Sequence, residues 1–560
     1  MFHETSWLPI QPRRLCLWLI CLLFCLGGQA LAQNRRTPPR NAEQLYRQGV
    51  ASLQKGDLAR AVLSFRAALK LSPELAEAHN GLGLALAQQG QLADAIAALR
   101  EAVARKPNFA EAYANLGLTL EQAGQLDDAL AALKIAVEQQ PNSAEFHSAF
   151  GFALGKKGLL DGALGEFALA AKLKPDFHEA QFRLGVTHWL AGNYEAALAP
   201  LGVAVKLKPA HVESHYYLGL VLQKTGQLRE AIESLQTALK LNPQIADVQA
   251  ALGNALLADE DFEAAVTALR AALKLNPNLL TARNDLGLAL IQKREADAAV
   301  AELQTVLKLD PQNLTAHHNL GLALIQKSDY VQASEIYRKL LQIAPHDAEA
   351  QYSLGLALKY KDDLAGAIEA LRRSIALKPS LQEAHYTLGV ILWQQGKLAE
   401  AVATFRAALA VNPNFSEAHY TLGTVLQQQG DLDGAIAAFR AAIKLAPQNP
   451  EIHNTLGNAL RTKGDREGAR LEFQEGARLQ KLKSNNQAAT FATNTGIQRL
   501  KDGALGAAIE LFEKAIGLDP EYAPAHYQLG LALRKQGKNA AAQQSFARAR
   551  QLDPRLKIPQ

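Results

Sequence analysis

What the chain has little of bounds it first. All three cysteines, Cys16, Cys21 and Cys25, lie in the first 25 residues, so the rest of the sequence has no thiol for a disulfide or a Cys-His zinc site. The apolar run from Leu15 to Leu26 has twelve residues, short of the roughly 20 that a membrane-spanning helix takes. Charge of one sign does not dominate either: 59 basic residues stand against 54 acidic. That near balance disfavours nucleic acid as a partner, because a phosphate backbone requires a strongly basic footprint. No glycine-rich phosphate loop, nucleophile elbow or Cys-His zinc spacing occurs. The expectation is a chain with no cofactor, no metal and no enzymatic activity.

What is present is a period. Twelve prolines recur every 34 residues from Pro73, Pro107 and Pro141 to Pro413 and Pro447. With Ala42 as the first position of a 34-residue row, the eighth position is always glycine (Gly49, Gly83, Gly117) and the twentieth always alanine (Ala61, Ala95, Ala231). The twenty-fourth is Leu or aromatic, as in Phe65, Leu99 and Phe405. Apolar residues at three- and four-residue steps run through each half of a row, and a glycine near the fifteenth position (Gly90, Gly124, Gly158) divides the halves. Each row therefore predicts two antiparallel helices. Small residues at positions eight and twenty let the two axes approach closely. The divide glycine ends the first helix in a left-handed conformation, Asp57, Asn193, Asp329 and Asp431 cap the second, and proline stops it. Units of this kind cannot bury their own apolar faces and must stack.

These columns resemble the tetratricopeptide repeat, whose pattern places Leu-Gly, Ala, Phe and Pro at the same positions. The resemblance implies an all-α, right-handed superhelical solenoid of about 15 helix-turn-helix repeats, thirteen in 42–483 and two more in 489–556, with a tail at 557–560. It implies protein or peptide binding and names no partner. The family often has Trp at the fourth position, where this chain largely has His. The long array is also similar to the superhelical part of O-linked N-acetylglucosamine transferases, without a catalytic region after the last row. The Lys, Asn and Arg set with which cochaperone members clamp a C-terminal carboxylate is missing, although Asn254, Asn284 and Asn458 occupy groove positions.

The first 32 residues read differently. Arg13 and Arg14, the apolar run, and Ala30-Leu31-Ala32 have the form of a cleaved export signal, with the cut between Ala32 and Gln33. Residues 33–41 read as a linker. The implied location is a bacterial periplasm or the exterior, and the mature chain would then have no cysteine. Charge is uneven in the remainder: after residue 450, 17 basic residues stand against 11 acidic. Arg534, Lys535, Lys538, Arg548 and Arg550 read as a solvated face or a weak contact with an anionic surface.

Eight of the fourteen histidines, among them His79, His147, His215, His385 and His453, sit at the fourth position. A column repeated along a solenoid spreads its members apart, so these read as packing residues. His211 and His215 flank Glu213, but the order of a zinc-protease helix is not met. By the resemblance, the fifth, ninth and twelfth positions line the groove. There the chain places Phe182, Tyr216, Tyr352, Tyr386 and Tyr420, with Trp189 and Trp393 at the twelfth and mostly Leu and Val (Leu118, Leu220, Leu356) at the ninth. An extended apolar or amphipathic helical segment suits such a surface, with stacking and phenolic hydrogen bonds to grip it.

Two irregularities remain. Four rows replace the divide glycine with Glu260, Arg294, Ser328 and Asp362, for which a turn of another shape is expected. Lys481 stands in the proline column, and residues 484–488 are extra, which predicts a second helix that runs on and a joint before the last two rows. Three readings of function follow: an exported scaffold that assembles envelope or extracellular proteins, a chaperone-like periplasmic adaptor with many weak clients, or an enzyme with a dispersed site such as His188, Trp189 and His211.

Overall fold

A computed structural model describes residues 40–558. The expected signal and its Ala32–Gln33 cleavage site lie outside the described residues. Among those residues there are 29 α-helices and no strand, an all-α solenoid of stacked helix pairs. They form two compact units, one ending at Pro311 and the other beginning at Gln312. The first pair is α1 (Arg40–Gln54) and α2 (Leu58–Leu71), so Arg40 and Asn41, expected in the linker, already belong to a helix.

Within a pair, the fixed columns meet. A β-carbon on Gly83 would lie 2.5 Å from Leu99 Cγ and 3.1 Å from the Ala95 carbonyl oxygen. One on Gly49 would enter the Phe65 ring at 2.6 Å. Position eight is therefore the floor on which the large side chain at position twenty-four rests, while alanine at position twenty brings the second backbone close. Successive pairs join through positions twenty-one and twenty-eight of one second helix and seven and eleven of the next first helix. Val62 and Leu69 thus pack with Leu82 and Leu86, and Ile436 and Ile443 with Leu456 and Leu460.

The turn between the two helices keeps one shape throughout. Glu260, Arg294, Ser328 and Asp362 have φ of 62° to 68°, against 73° to 95° for the glycines of the same column. The expectation of a different turn is thereby corrected. Two hydrogen bonds hold the left-handed residue: Glu260 N–H donates to the Leu257 carbonyl and Asp261 N–H to the Leu256 carbonyl, and Gly90 and Gln91 repeat the arrangement. The four side chains point into solvent, so the cost is backbone strain alone. Asp57, Asp329 and Asp431 each accept the expected capping N–H, whereas Asn193 makes no side-chain cap.

Lys481 lies inside one continuous helix. Counted in chain order, α25 is Pro450–Lys463, α26 is Arg466–Lys501 and α27 is Leu505–Leu518. The first part of α26 packs on α25 and its last part on α27. Between them, from Gln480 to Ala488, every residue but Asn485 is exposed. The joining columns change character here. Arg470 and Ala477 stand where Val, Ile or Leu usually occupies positions twenty-one and twenty-eight, and Thr495 and Arg499 replace the usual leucines at seven and eleven. Phe491, at a third position that is commonly a wholly buried alanine, is 74% exposed. The stack is thus interrupted between repeats thirteen and fourteen, and one helix bridges the interruption.

Candidate functional site

The first helix of each repeat carries positions five, nine and twelve on one stripe, since steps of four and three residues return to the same face. In the first unit, α9 (His178–Leu190) presents Phe182, Val186 and Trp189, and α11 (Val212–Lys224) presents Tyr216, Leu220 and Gln223. In the second unit, α19 (Ala348–Tyr360) and α21 (Gln382–Gln394) place Tyr352 with Leu356 and Tyr386 with Val390 and Trp393; α23 (Ser416–Gln429) adds Tyr420. Phe182 is buried, and Trp189, Tyr216, Tyr352, Tyr386, Trp393 and Tyr420 are half-buried.

The polar tips of the second-unit aromatics are engaged within the array. The Tyr386 hydroxyl lies 3.4 Å from Thr421 Oγ1, and that of Tyr420 lies 3.4 Å from Thr455 Oγ1. Burial pushes the Tyr352 phenol upward against a hydrogen bond from Thr387. The Trp393 Nε1–H donates to Gln428 Oε1 at 2.7 Å. Each of these links spans 35 residues, from position five to six or from twelve to thirteen of the next repeat. Asn115 Nδ2–H donating to Asn80 Oδ1 at 2.9 Å, and the Lys156–Glu121 ion pair, follow the same rule. The phenolic hydrogen bonds expected to reach a partner are therefore made between repeats, and the rings and the ninth-column aliphatics remain as contact surface. The sixth and thirteenth columns were missed by sequence reasoning; the run Thr387, Thr421 and Thr455 was the available signal.

In the first unit the aromatics form a wall. Trp189 and Tyr217 ring centroids are 5.4 Å apart, Tyr216 and Tyr217 5.2 Å, and Phe182 and Tyr217 5.9 Å, mostly edge to face. The rings His211 meets are His178 at 4.6 Å and Phe182 at 5.0 Å. His211 caps α11: its Nδ1 accepts the Ser214 N–H at 3.2 Å and lies 2.8 Å from Ser214 Oγ, while His178 Nε2 lies 3.2 Å from the same oxygen. A serine between two imidazoles has the residue types of a nucleophilic site, but Ser214 is 0% exposed and no substrate reaches it. Burial, with the neighbouring His211 and Lys208, lowers His178 to about 4. Burial lowers His188 and His211 as well.

The histidine column has a defined task. His79, His147, His215, His385, His419, His453 and His526 each direct Nε2 to the carbonyl oxygen of the proline six residues earlier, at 2.9 to 3.1 Å. Gln181 and Arg283 donate to Pro175 and Pro277 in the same way. In these repeats the fourth position therefore ties the turn to the next first helix, while His317 directs Nδ1 to the Asn313 carbonyl at 3.0 Å. His147 and His453 also direct Nδ1 to Glu166 and Glu472, at 2.6 and 2.7 Å. Among the described residues no group of three His, Cys, Asp or Glu is placed to hold a metal, so His211 and His215 are not joined by a third ligand.

Comparison with known proteins adds the following. A tetratricopeptide repeat model matches 28–76, 46–108, 80–144, 149–212, 216–279, 284–348 and 352–419. Related repeat models match 404–437, 425–464, 498–537 and 523–556. No curated protein matches the chain. Among solved structures, MamA (41-end) from Desulfovibrio magneticus RS-1 is 27% identical over 30% of this chain and 96% of its own, with a TM-score of 0.29. YrrB, described as a TPR protein with an unusual peptide-binding site, is 23% identical over 33% of this chain and 95% of its own, with a TM-score of 0.31. Yeast Tom70 is 15% identical over 69% of this chain and 96% of its own, with a TM-score of 0.35.

Proposed function

The chain belongs to the tetratricopeptide repeat family, and from that premise we propose that it is a non-enzymatic scaffold that binds extended or amphipathic helical segments of partner proteins along the first-helix stripes. The observation that carries this reading is the division of labour in each repeat. Positions eight, twenty and twenty-four hold the pair together, seven, eleven, twenty-one and twenty-eight hold repeats to one another, and four ties the turn. Positions five and twelve spend their polar tips on links between repeats and the aliphatic residues at position nine make no such link, yet all three keep half-buried aliphatic and aromatic side chains such as Leu220, Leu356, Val390 and Trp393. Apolar surface retained outside the packing columns is surface available to a partner.

The setting we propose is the bacterial envelope or the exterior, supported by the signal-like pattern that ends at Ala32. N-terminal sequencing of the exported protein should begin at Gln33; recovery of the whole chain in the cytoplasm with Met1 intact would contradict it. Partner binding is tested by Leu356→Arg combined with Val390→Arg. Copurification of envelope partners should fall at least tenfold with helicity unchanged, and Leu63→Arg, on an exposed second-helix position, should leave it intact. Equal effects of the two changes would contradict a role for the stripe.

A further inference from the structure

The stripe of the first unit contains a notch whose chemistry differs from its surroundings. In α13 (Ala246–Ala258) of repeat seven, positions five and six are Ala250 and Ala251, both half-exposed. Under the five-to-six rule, Tyr216 should find its partner at position 251 and Asp285 should find one at position 250. Alanine offers neither a hydrogen bond. Tyr216 consequently makes a ring contact with Tyr217, and among the described residues its hydroxyl has no side-chain partner, unlike those of Tyr386 and Tyr420.

Asp285, on α15 (Leu280–Gln292), is half-buried and accepts one side-chain hydrogen bond, from Asn254 Nδ2 at 2.8 Å. Asn254 is itself oriented by Gln223 Nε2 donating to its Oδ1 at 2.6 Å. A chain of amides thus holds the carboxylate in place without neutralising it. Burial drives the Asp285 carboxyl above its ordinary range, only partly opposed by Asn254, and among the described residues no basic side chain forms an ion pair with it. The nearest basic side chain in sequence, Arg283, is committed to Glu302 and to the Pro277 carbonyl. Asp247, exposed at the start of α13, acts together with burial and Tyr217 to raise the Tyr216 phenol, which adds a second negative charge beside the notch.

We propose that this notch is a subsite for a basic side chain, arginine or lysine, of a bound extended polypeptide, with Asp285 as the counter-charge and Tyr216 as ring face and hydroxyl acceptor. The proposal rests on the groove-binding reading and gives it a position-specific preference. Two alanines provide the room for a long cationic stem, and the aromatic wall of Tyr216 and Tyr217 offers a cation–π surface. A preoriented carboxylate with a free oxygen supplies a charge-assisted hydrogen bond. An acidic segment would be repelled by Asp285 and Asp247.

The test uses the full chain and three synthetic ten-residue peptides of one apolar sequence, with arginine, citrulline or norleucine at the centre, titrated by calorimetry. The arginine peptide should bind at least tenfold more tightly than the citrulline peptide, and Asp285→Asn should reduce that ratio to near one. Tyr216→Phe should weaken the arginine peptide severalfold. Equal binding of all three peptides would overturn the subsite and leave groove binding standing. Binding of none would overturn both, and persistence of the arginine preference in Asp285→Asn would overturn the assignment of the counter-charge.

Discussion

Where several repeats begin with alanine, the fifth begins with His178, a side chain that is 4% exposed, lies against Phe182 and His211, and among the described residues has no partner for Nδ1. The folded state binds a proton there less readily than the unfolded chain, because the value falls from 6.5 to about 4. Stability is therefore fully present above the unfolded value and is lost as pH falls toward the folded one. Between pH 7 and pH 5 the loss from this group comes to about 2 kcal/mol. Urea unfolding at the two pH values should show it, and His178→Ala should lose about 2 kcal/mol less over the same interval. The four left-handed non-glycine residues give a second expectation. Glu260→Gly or Arg294→Gly relieves strain of ~1 kcal/mol, offset in part by the greater freedom of glycine in the unfolded chain, so each should raise stability by roughly 0.5 kcal/mol. Sequence alone identified these positions and misjudged their geometry, because the pair of backbone hydrogen bonds that enforces φ > 0 belongs to the turn and not to the residue.

At the level of the helix pair, the columns act through contact and not through propensity. Gly83→Ala places a methyl 2.5 Å from Leu99 Cγ, which should cost about 1–3 kcal/mol by thermal unfolding, whereas helix propensity alone would favour alanine. Loss of the turn tie through His419→Leu removes the hydrogen bond to Pro413 at 2.9 Å and should cost about 1 kcal/mol. A stabilising Gly83→Ala would show that the pair packs differently from this account. The proline, glycine and alanine columns were legible because each has one physical reason for its identity. The task of the fourth column was not, because its acceptor is a carbonyl six residues back whose direction depends on the folded turn. The links between positions five and six were hidden for a related reason: they join residues 35 apart in different repeats, and only the stacking brings them together.

For the chain as a whole, the consequential departure lies between repeats thirteen and fourteen. Repeat thirteen ends with Arg470 and Ala477 at positions twenty-one and twenty-eight, and the last repeat with Gln543 and Arg550, so both lack the large aliphatic pair that usually joins one repeat to the next. Repeat fourteen begins as the first repeat does, with polar residues at positions seven and eleven: Thr495 and Arg499, against Gln48 and Ser52. The span from Gln480 to Ala488 is exposed but for Asn485 and is tied to the following repeat by Asn486 Nδ2–H donating to Asp519 at 2.8 Å; with so little packing to protect them, its amides should exchange at least tenfold faster than those of α25 and α27. Lys481→Pro, which restores the column's residue, should break α26 without lowering the unfolding midpoint of the flanking repeats. Cooperative loss of repeats fourteen and fifteen in that variant would show that they depend on the bridge. The missing proline was readable in the sequence; the matching change at the joining columns became readable once their partners were known.

The central claim is that the half-buried stripe of positions five, nine and twelve is where partner polypeptides lie. The most direct measurement is site-specific photocrosslinking of the full chain in its native fraction. A benzophenone amino acid would replace Leu220 or Val390 on the stripe, and Leu63 or Val331 on exposed second-helix positions. The account predicts crosslinked partner at Leu220 and Val390, competed by excess unlabelled chain, and none at Leu63 or Val331. Crosslinks confined to Leu63 and Val331 would contradict it.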